Sequence, residues 1–272
     1  MELPEQSEDQ NDIIAKLNDS NVSVSAIPGS GKTTTSLHIA LAFPSVNILL
    51  LTYKTRLKLE TRTKVKLLNI QNMEVHSFHS FCVKYYKHNC FTDYELLQVL
   101  KNNLRPKKSL AYDMVIVDEC QDVSPTYYEL ICKIVSDNLG CPKICVLGDR
   151  YQSIFKFNNA DERYLIHSDK VFAYNELGWQ TGNLSVSYRL THQMANFLNN
   201  CILGYNRING CKNGDKVRYI VCDCFGNKYG MRGINRPLRE VQYYLERYAP
   251  EDIFILAPSV KSSKTPVRVL AN

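Results

Sequence analysis

Ala26-Ile27-Pro28-Gly29-Ser30-Gly31-Lys32-Thr33 decides how the rest of the chain is read. It follows a short apolar run, Val22-Ser23-Val24, and opens a segment of helical period. Strand, Gly-rich turn and helix start, in that order, make a cradle for phosphate. The glycines let backbone N–H groups turn inward, and the positive end of the helix dipole faces the anion. In such a P-loop Lys32 reaches the β- and γ-phosphates and Thr33 ligates Mg²⁺, while Ala26, Pro28, Gly29, Ser30, Gly31 and Thr34 form the walls. Ala26 stands where the pattern ordinarily has its first Gly, a tolerable departure at a strand-like position. The competing reading is a fortuitous Gly-rich turn.

Working outward, Ile48 to Leu51, Val115 to Val117 and Ile144 to Leu147 are further short, nearly continuous apolar runs. Strands covered on both faces have this character. Segments of helical period lie between them, after Gly31, over about 54–68, near 77–88 and over 125–136. Strand alternating with helix implies a parallel sheet with right-handed crossovers. After about residue 180 the pattern restarts. Residues 184–186 read as a strand, 191–203 as a helix capped by Thr191, 217–222 and 253–257 as strands, and 237–248 as a helix. The expected organisation is a P-loop α/β domain over 1–180, with a small insertion near 85–110, and a truncated second domain over 181–272. The chain stops within a helical-looking segment, which predicts a fragment.

Val115-Ile116-Val117-Asp118-Glu119-Cys120-Gln121-Asp122 ends one of these strands in carboxylates. The C-terminal ends of parallel strands face the ligand crevice. Asp118 is placed to hold Mg²⁺, and Glu119 to orient and deprotonate an attacking water. Taken alone, the pair reads equally as a helix N-cap; beside the P-loop it reads as the second half of a nucleotide site.

Composition excludes several classes. Apolar residues at 44% and charged residues at 22% are ordinary for a globular chain and rule out a disordered tail. No apolar run is long enough for a membrane span, and the acidic start, Met1 to Glu5, lacks the apolar core of a secretion signal. The ten cysteines are scattered, several inside apolar runs, so they read as reduced intracellular thiols rather than a disulfide framework. Two zinc constellations can be drawn, His76/His79/Cys82/Cys90 and Cys201/Cys211/Cys222/Cys224; the second lacks paired C-x2-C knuckles, His79 and its neighbours in the first belong to a longer box over 75–82, and both are rejected. The net charge of +6 permits a polyanion partner without demanding one.

At this point the residues match a known pattern. DECQD resembles the D-E-x-Q-D box of UvrD-like superfamily 1 helicases, and other boxes follow in that family's order. Gln10 with Ile13 and Ile14 is similar to its glutamine motif, with Gln6 a rival at poorer spacing. From the residues alone, Gln10 is a capping-box partner of Ser7. Leu51 to Arg56 is similar to L-T-F-T-N-K-A, Val75 to Cys82 to T-F-H-S-F-C, and Leu147 to Phe157 to G-D-x-x-Q-S-I-Y-x-F. Ser187-Tyr188-Arg189 resembles N-Y-R with Ser for Asn, and 253–272 looks like the next conserved strand and helix. The style of 257–272 suggests a viral or protist-type relative.

The resemblance implies a RecA-like fold for both domains, ATP and Mg²⁺ as cofactors and single-stranded DNA as partner, with RNA still open. It further implies an ATPase moving 3′ to 5′, with Glu119, Gln152 and Arg189 catalytic. Gln152 and Arg189 would meet the γ-phosphate, and Gln10 and Tyr188 the adenine. Tyr53, Phe78, His79, Phe155 and Phe157 would lie along the strand, where flat rings bind bases without reading sequence. Each aromatic alone reads more readily as core. Two later family motifs, one carrying an arginine finger, do not occur before Asn272, so the chain by itself is expected to be a poor ATPase. The runner-up is a nucleotide- and DNA-binding module without turnover. A small-molecule phosphoryl transferase is a third reading, and it leaves Gln152 and Tyr188-Arg189 unexplained. Process, oligomeric state and protein partners are not encoded in these patterns.

Overall fold

A computed structural model describes residues 2–155, 159–221 and 235–256. The chain divides into two compact units, 1–216 and 217–272.

The first unit is built on six strands: β1 (Asn21–Ala26), β2 (Ile48–Thr52), β3 (Met73–Ser77), β4 (Met114–Asp118), β5 (Lys143–Gly148) and β6 (Trp179–Leu184). They lie in the order β3-β2-β4-β5-β1-β6, every pair parallel. This is the expected doubly covered α/β sheet of a P-loop, RecA-like domain. The alternation of side chains splits the apolar runs between two cores. Ile48, Leu50, Met114, Ile116, Cys145 and Leu147 face one side, toward α1 (Glu8–Lys16) and α2 (Lys32–Ala42). α3 (Thr55–Leu67) joins that face through Val65. Leu49, Leu51, Val115, Val117, Ile144 and Val146 face the other and pack with α4 (Phe78–Tyr85), α5 (Asp93–Lys101) and α6 (Pro125–Asp137). Two single-turn helices, α7 (Arg163–Ile166) and α8 (Ser168–Val171), lead from β5 toward β6, and Leu165 and Val171 join the same core. Covering both faces is why these strands read as continuous apolar runs. The insertion expected near 85–110 holds α5, whose N-cap Thr92 and Glu95 form a capping box.

Four features depart from the sequence reading. The boundary expected at 180/181 falls inside β6, which hydrogen-bonds to β1 over its whole length and so completes the first sheet. The strand expected over 184–186 is two strands broken at Ser185: β6, and β7 (Val186–Thr191), which pairs with β8 (Asn209–Lys212) in a separate two-stranded sheet. The helix after Thr191, capped by that residue's side chain as expected, is α9 (His192–Phe197) followed by a π turn over Leu198–Leu203. Residues 217–221 and 253–256 form no strand; no described strand lies beside them to complete a ladder, and Val221, Phe254 and Leu256 are exposed. The remainder of both expected strands lies outside the described residues.

The second unit contains helix α10 (Asn235–Leu245). Arg218 pairs with Glu240 at 2.8 Å, and the guanidinium groups of Arg218 and Arg247 lie over the ring of Tyr243.

Candidate functional site

Residues Ile27 to Gly31 turn from β1 into α2, and the turn demands its glycines. Gly29 and Gly31 sit at φ of +74° and +87°, where a side chain is strained. Gly31 is the N-cap of α2, so the first-turn amides are open to a ligand. The Ser30 hydroxyl donates to the Ile27 carbonyl at 2.8 Å and closes the turn.

Across the sheet, β4 delivers Asp118 and Glu119. Lys32 Nζ lies 3.6 Å from Glu119 Oε2, both side chains largely shielded. Glu119 itself is held at φ +54°, a left-handed conformation uncommon for a side-chain-bearing residue. Gln121 fixes its carboxylate by donating from Nε2 at 2.8 Å. Asp118 is 2% exposed. Burial first, then the adjacent Glu119 charge, pushes its pKa up to about 7, opposed by Lys32. Asp122 is raised to about 6 by the same two causes. These carboxylates are therefore poised to gain most from a nearby cation.

β7 meets the cradle directly. Ser187 Oγ donates to the Pro28 carbonyl at 2.7 Å, and Tyr188 N–H donates to the Gly29 carbonyl at 3.0 Å. The approach is so close that a Cβ at Gly29 would stand 2.5 Å from that of Arg189. Together these residues line a cleft of about 560 Å³: Gly29 to Thr34, Glu119, Tyr188 and Arg189, with Leu57, Lys64 and Lys212. Nine of the residues singled out in the sequence thus share one cleft.

Others stand apart. Gln10 is 3% exposed with both ends of its amide engaged: Oε1 accepts from Ser7 N–H at 3.0 Å, and Nε2 donates to Thr35 Oγ1 at 2.9 Å. It is the capping-box residue that local sequence suggests, placed beside Gly31. Its rival Gln6 lies against His38. Gln152 donates to Asp149 Oδ2 at 2.9 Å. Ala26 and Pro28 support the loop through their carbonyls, which accept from Arg207 and Ser187.

Of the expected strand contacts, Phe78 is corrected. Its ring is 2% exposed and stacks on Tyr127 at 4.5 Å, so no base can reach it. His79 is partly shielded; its Nε2 lies 3.1 Å from Asp93, out of hydrogen-bond alignment. Tyr53 and Phe155 form a pair at 5.3 Å with Lys54 Nζ over the Phe155 ring. Phe157 lies outside the described residues. Among the described residues no three His, Cys, Asp or Glu side chains gather around a metal position, and the described cysteines are free; Cys222 and Cys224 lie outside the described residues.

Sequence reasoning missed Gln121, Asp149, Ser187 as a loop contact, and Arg207. Gln121 and Asp149 sit inside quoted boxes, whereas Arg207 has no local signal at all.

Residues 10–158, more than half the chain, match the family model described as an AAA domain. The chain belongs to that family. The chain also resembles curated helicases. It is 26% identical over 102 residues to the putative ATP-dependent DNA helicase YjcD of Bacillus subtilis, covering 38% of this chain and 12% of that protein. It is 34% identical over 104 residues to an ATP-dependent helicase/nuclease component from Oenococcus oeni, covering 38% of this chain and 8% of that one. The matched segment is thus a small part of either relative. Among solved structures, arterivirus nonstructural protein 10 (helicase) superposes with a TM-score of 0.43 at 14% identity, over 97% of this chain and 58% of that one. Bacteroides Pif1 bound to ssDNA gives 0.42 at 20% identity, over 74% and 46%. The superfamily 1 resemblance is borne out at the family level. The viral or protist style was read from 257–272, outside the described residues, and both curated relatives above are bacterial.

Proposed function

We propose that this chain is the nucleotide-binding part of a UvrD-like, ATP-dependent DNA helicase or translocase, coupling ATP binding and hydrolysis to 3′-to-5′ movement on single-stranded DNA. One observation carries the reading: the P-loop lysine, Glu119 at the end of β4 and the β7 Tyr188-Arg189 pair converge on a single cleft, with Asp118 buried beside Glu119. Lys32 and the α2 amides bind the phosphates, and Arg189 meets the γ-phosphate from the opposite wall. Tyr188, 53% exposed, supplies a face for adenine. Gln10 joins the adenine edge by exchanging its Thr35 bond. Gln152 reports on the γ-phosphate.

Thr33 and Asp118 fit Mg²⁺, a hard cation that takes oxygen ligands and keeps several waters. A buried carboxylate whose pKa is raised by desolvation is stabilised in its ionised form by such a charge. Bound Mg²⁺ supplies positive charge against the phosphates. Glu119 orients the attacking water and accepts its proton. Residues from β7 onward are the opening of a second motor domain, so γ-phosphate contacts on both walls tie closure to the nucleotide state. Tyr53, Lys54 and Phe155 provide the strand surface, with His79 at its margin. The scattered free thiols agree with a reducing, intracellular setting, and no described helix is long and apolar enough to cross a membrane.

The second reading, a nucleotide-dependent binding module without turnover, is favoured by one feature: Glu119 is occupied by Lys32 and Gln121. ATP hydrolysis with and without single-stranded DNA, RNA in parallel, separates the two. DNA-stimulated turnover lost in Lys32→Ala establishes the motor. Lys32-dependent binding without turnover establishes the module. Binding and turnover both indifferent to Lys32→Ala refute the site.

A further inference from the structure

A closed ring of contacts runs beneath the phosphate cradle. Arg207 Nη2 donates to Asp149 Oδ1 at 2.8 Å and to the Ala26 carbonyl at 3.1 Å. The other Asp149 oxygen accepts from Gln152 Nε2 at 2.9 Å. Asp149 N–H donates to Gln121 Oε1 at 3.0 Å, and Gln121 Nε2 donates to Glu119 Oε2 at 2.8 Å. That same oxygen lies 3.6 Å from Lys32 Nζ. Ala26 opens the cradle and Lys32 ends it, so the chain of contacts returns to its start.

Arg207 is the member of this ring that comes from outside the sheet, on the approach to β8. Its side chain is 11% exposed and that of Asp149 1%, a shielded pair in which charge-assisted bonds are strongest. Its backbone is pinned as well: Asn199 Oδ1 accepts from the N–H groups of Arg207 and Ile208, and Asn199 Nδ2 donates to the Ile208 carbonyl. The guanidinium lies 4.8 Å over the ring of Tyr151, which fills a variable position of the Gly148-to-Phe157 box.

We propose that Arg207 is a positioning residue for recognition of the terminal phosphate. By holding Asp149, it leaves the Gln152 amide free to exchange its carboxylate partner for a γ-phosphate oxygen. The inference rests on the nucleotide-site reading above. With Arg207 present, Asp149 keeps a cationic partner when Gln152 departs. Without it, Gln152 is the remaining side-chain donor to a buried carboxylate, and releasing it leaves that charge with the Tyr151 N–H alone, at 3.0 Å, and no cationic partner, which is unfavourable. A diphosphate makes no such demand on Gln152, so it loses only what the Ala26 contact contributes to the loop.

The test is fluorescence titration of a non-hydrolysable triphosphate analogue and of ADP, each with Mg²⁺, against the wild-type chain and its variants. Wild type binds the triphosphate more tightly. Arg207→Ala lowers triphosphate affinity about tenfold more than it lowers ADP affinity, the worth of one charge-assisted bond. Arg207→Lys, which keeps a cation beside Asp149, recovers part of the loss. Equal losses for both nucleotides, or none, overturn the proposal and leave Arg207 a structural residue. A thermal melt checks folding. If Arg207→Ala does not fold, Asp149→Asn keeps the volume and removes the charge; discrimination shifted from wild type then supports the proposal, and unchanged discrimination overturns it. Lys32→Ala keeps the two levels apart. If it binds both nucleotides as wild type does, the nucleotide-site reading fails and takes this inference with it. If it loses both while Arg207→Ala discriminates normally, this inference alone fails.

Discussion

Single residues in the cleft make separable predictions because they do different physical work. Glu119 is held over the cradle by Gln121 and Lys32. Glu119→Gln keeps the amide-compatible geometry and removes the base, so nucleotide affinity holds while turnover falls roughly 10²-fold or more, the usual worth of a positioned proton acceptor; steady-state kinetics beside a binding titration read both. Gly29 combines a left-handed φ with a neighbour 2.5 Å from any added Cβ. Gly29→Ala is expected to destabilise the unit by about 1–3 kcal/mol and to weaken nucleotide binding, measured as a lowered denaturation midpoint and a raised Kd. At this scale the sequence was legible where chemistry is local. Lys32, Asp118 and Glu119 announce themselves by residue type, spacing and the strand before them. Arg207 does not, because its partners, Ala26 and Asp149, are far away along the chain and near only in space.

Elements show why the sheet was easy to read and its surroundings less so. Ile116 lies at the centre of β4 with no exposure on either face, and Ile116→Ala is expected to cost about 3 kcal/mol of stability by leaving a cavity. Continuous burial erases the polar alternation that marks half-exposed strands, so four of the six strands stand out as apolar runs. β3 and β6 are the sheet edges, and their mixed sequences, MEVHS and WQTGNL, gave no such signal. That is why residues 179–183 were missed and the domain boundary was placed inside β6. The aromatics divide for a related reason. A ring at the start of a helix such as α4 is either core or contact surface, and only packing decides. Phe78→Ala should lower stability by roughly 3 kcal/mol with little specific effect on DNA affinity. Phe155→Ala should weaken single-strand binding by about 1–3 kcal/mol while leaving the melting temperature nearly unchanged; fluorescence anisotropy with a labelled oligonucleotide distinguishes the two.

At the scale of the whole molecule, acid sensitivity follows from buried imidazoles. His38 and His76 are held below the ordinary histidine value of 6.5, in both cases chiefly by burial. A depressed folded-state pKa means the unfolded chain binds protons first, so this stability is present above pH 6.5 and is lost as pH falls below it. Glu74 adds a second loss below about pH 4.5, since hydrogen bonds from His76, Lys84 and Tyr85 hold its carboxyl under that ordinary value. Urea unfolding should therefore show a lower midpoint at pH 5 than at pH 7, and a His38→Gln, His76→Gln double variant should narrow that difference. Strand order has a consequence of another kind. β5 lies between β1 and β4, so the strand that leads into the phosphate loop and the strand that ends in Asp118 are two interstrand spacings apart, about 10 Å. Backbone hydrogen bonds set that width, and no side-chain substitution in the walls can alter it. The sheet thus acts as a calliper of fixed gauge, sized by its main chain before any side chain selects what enters.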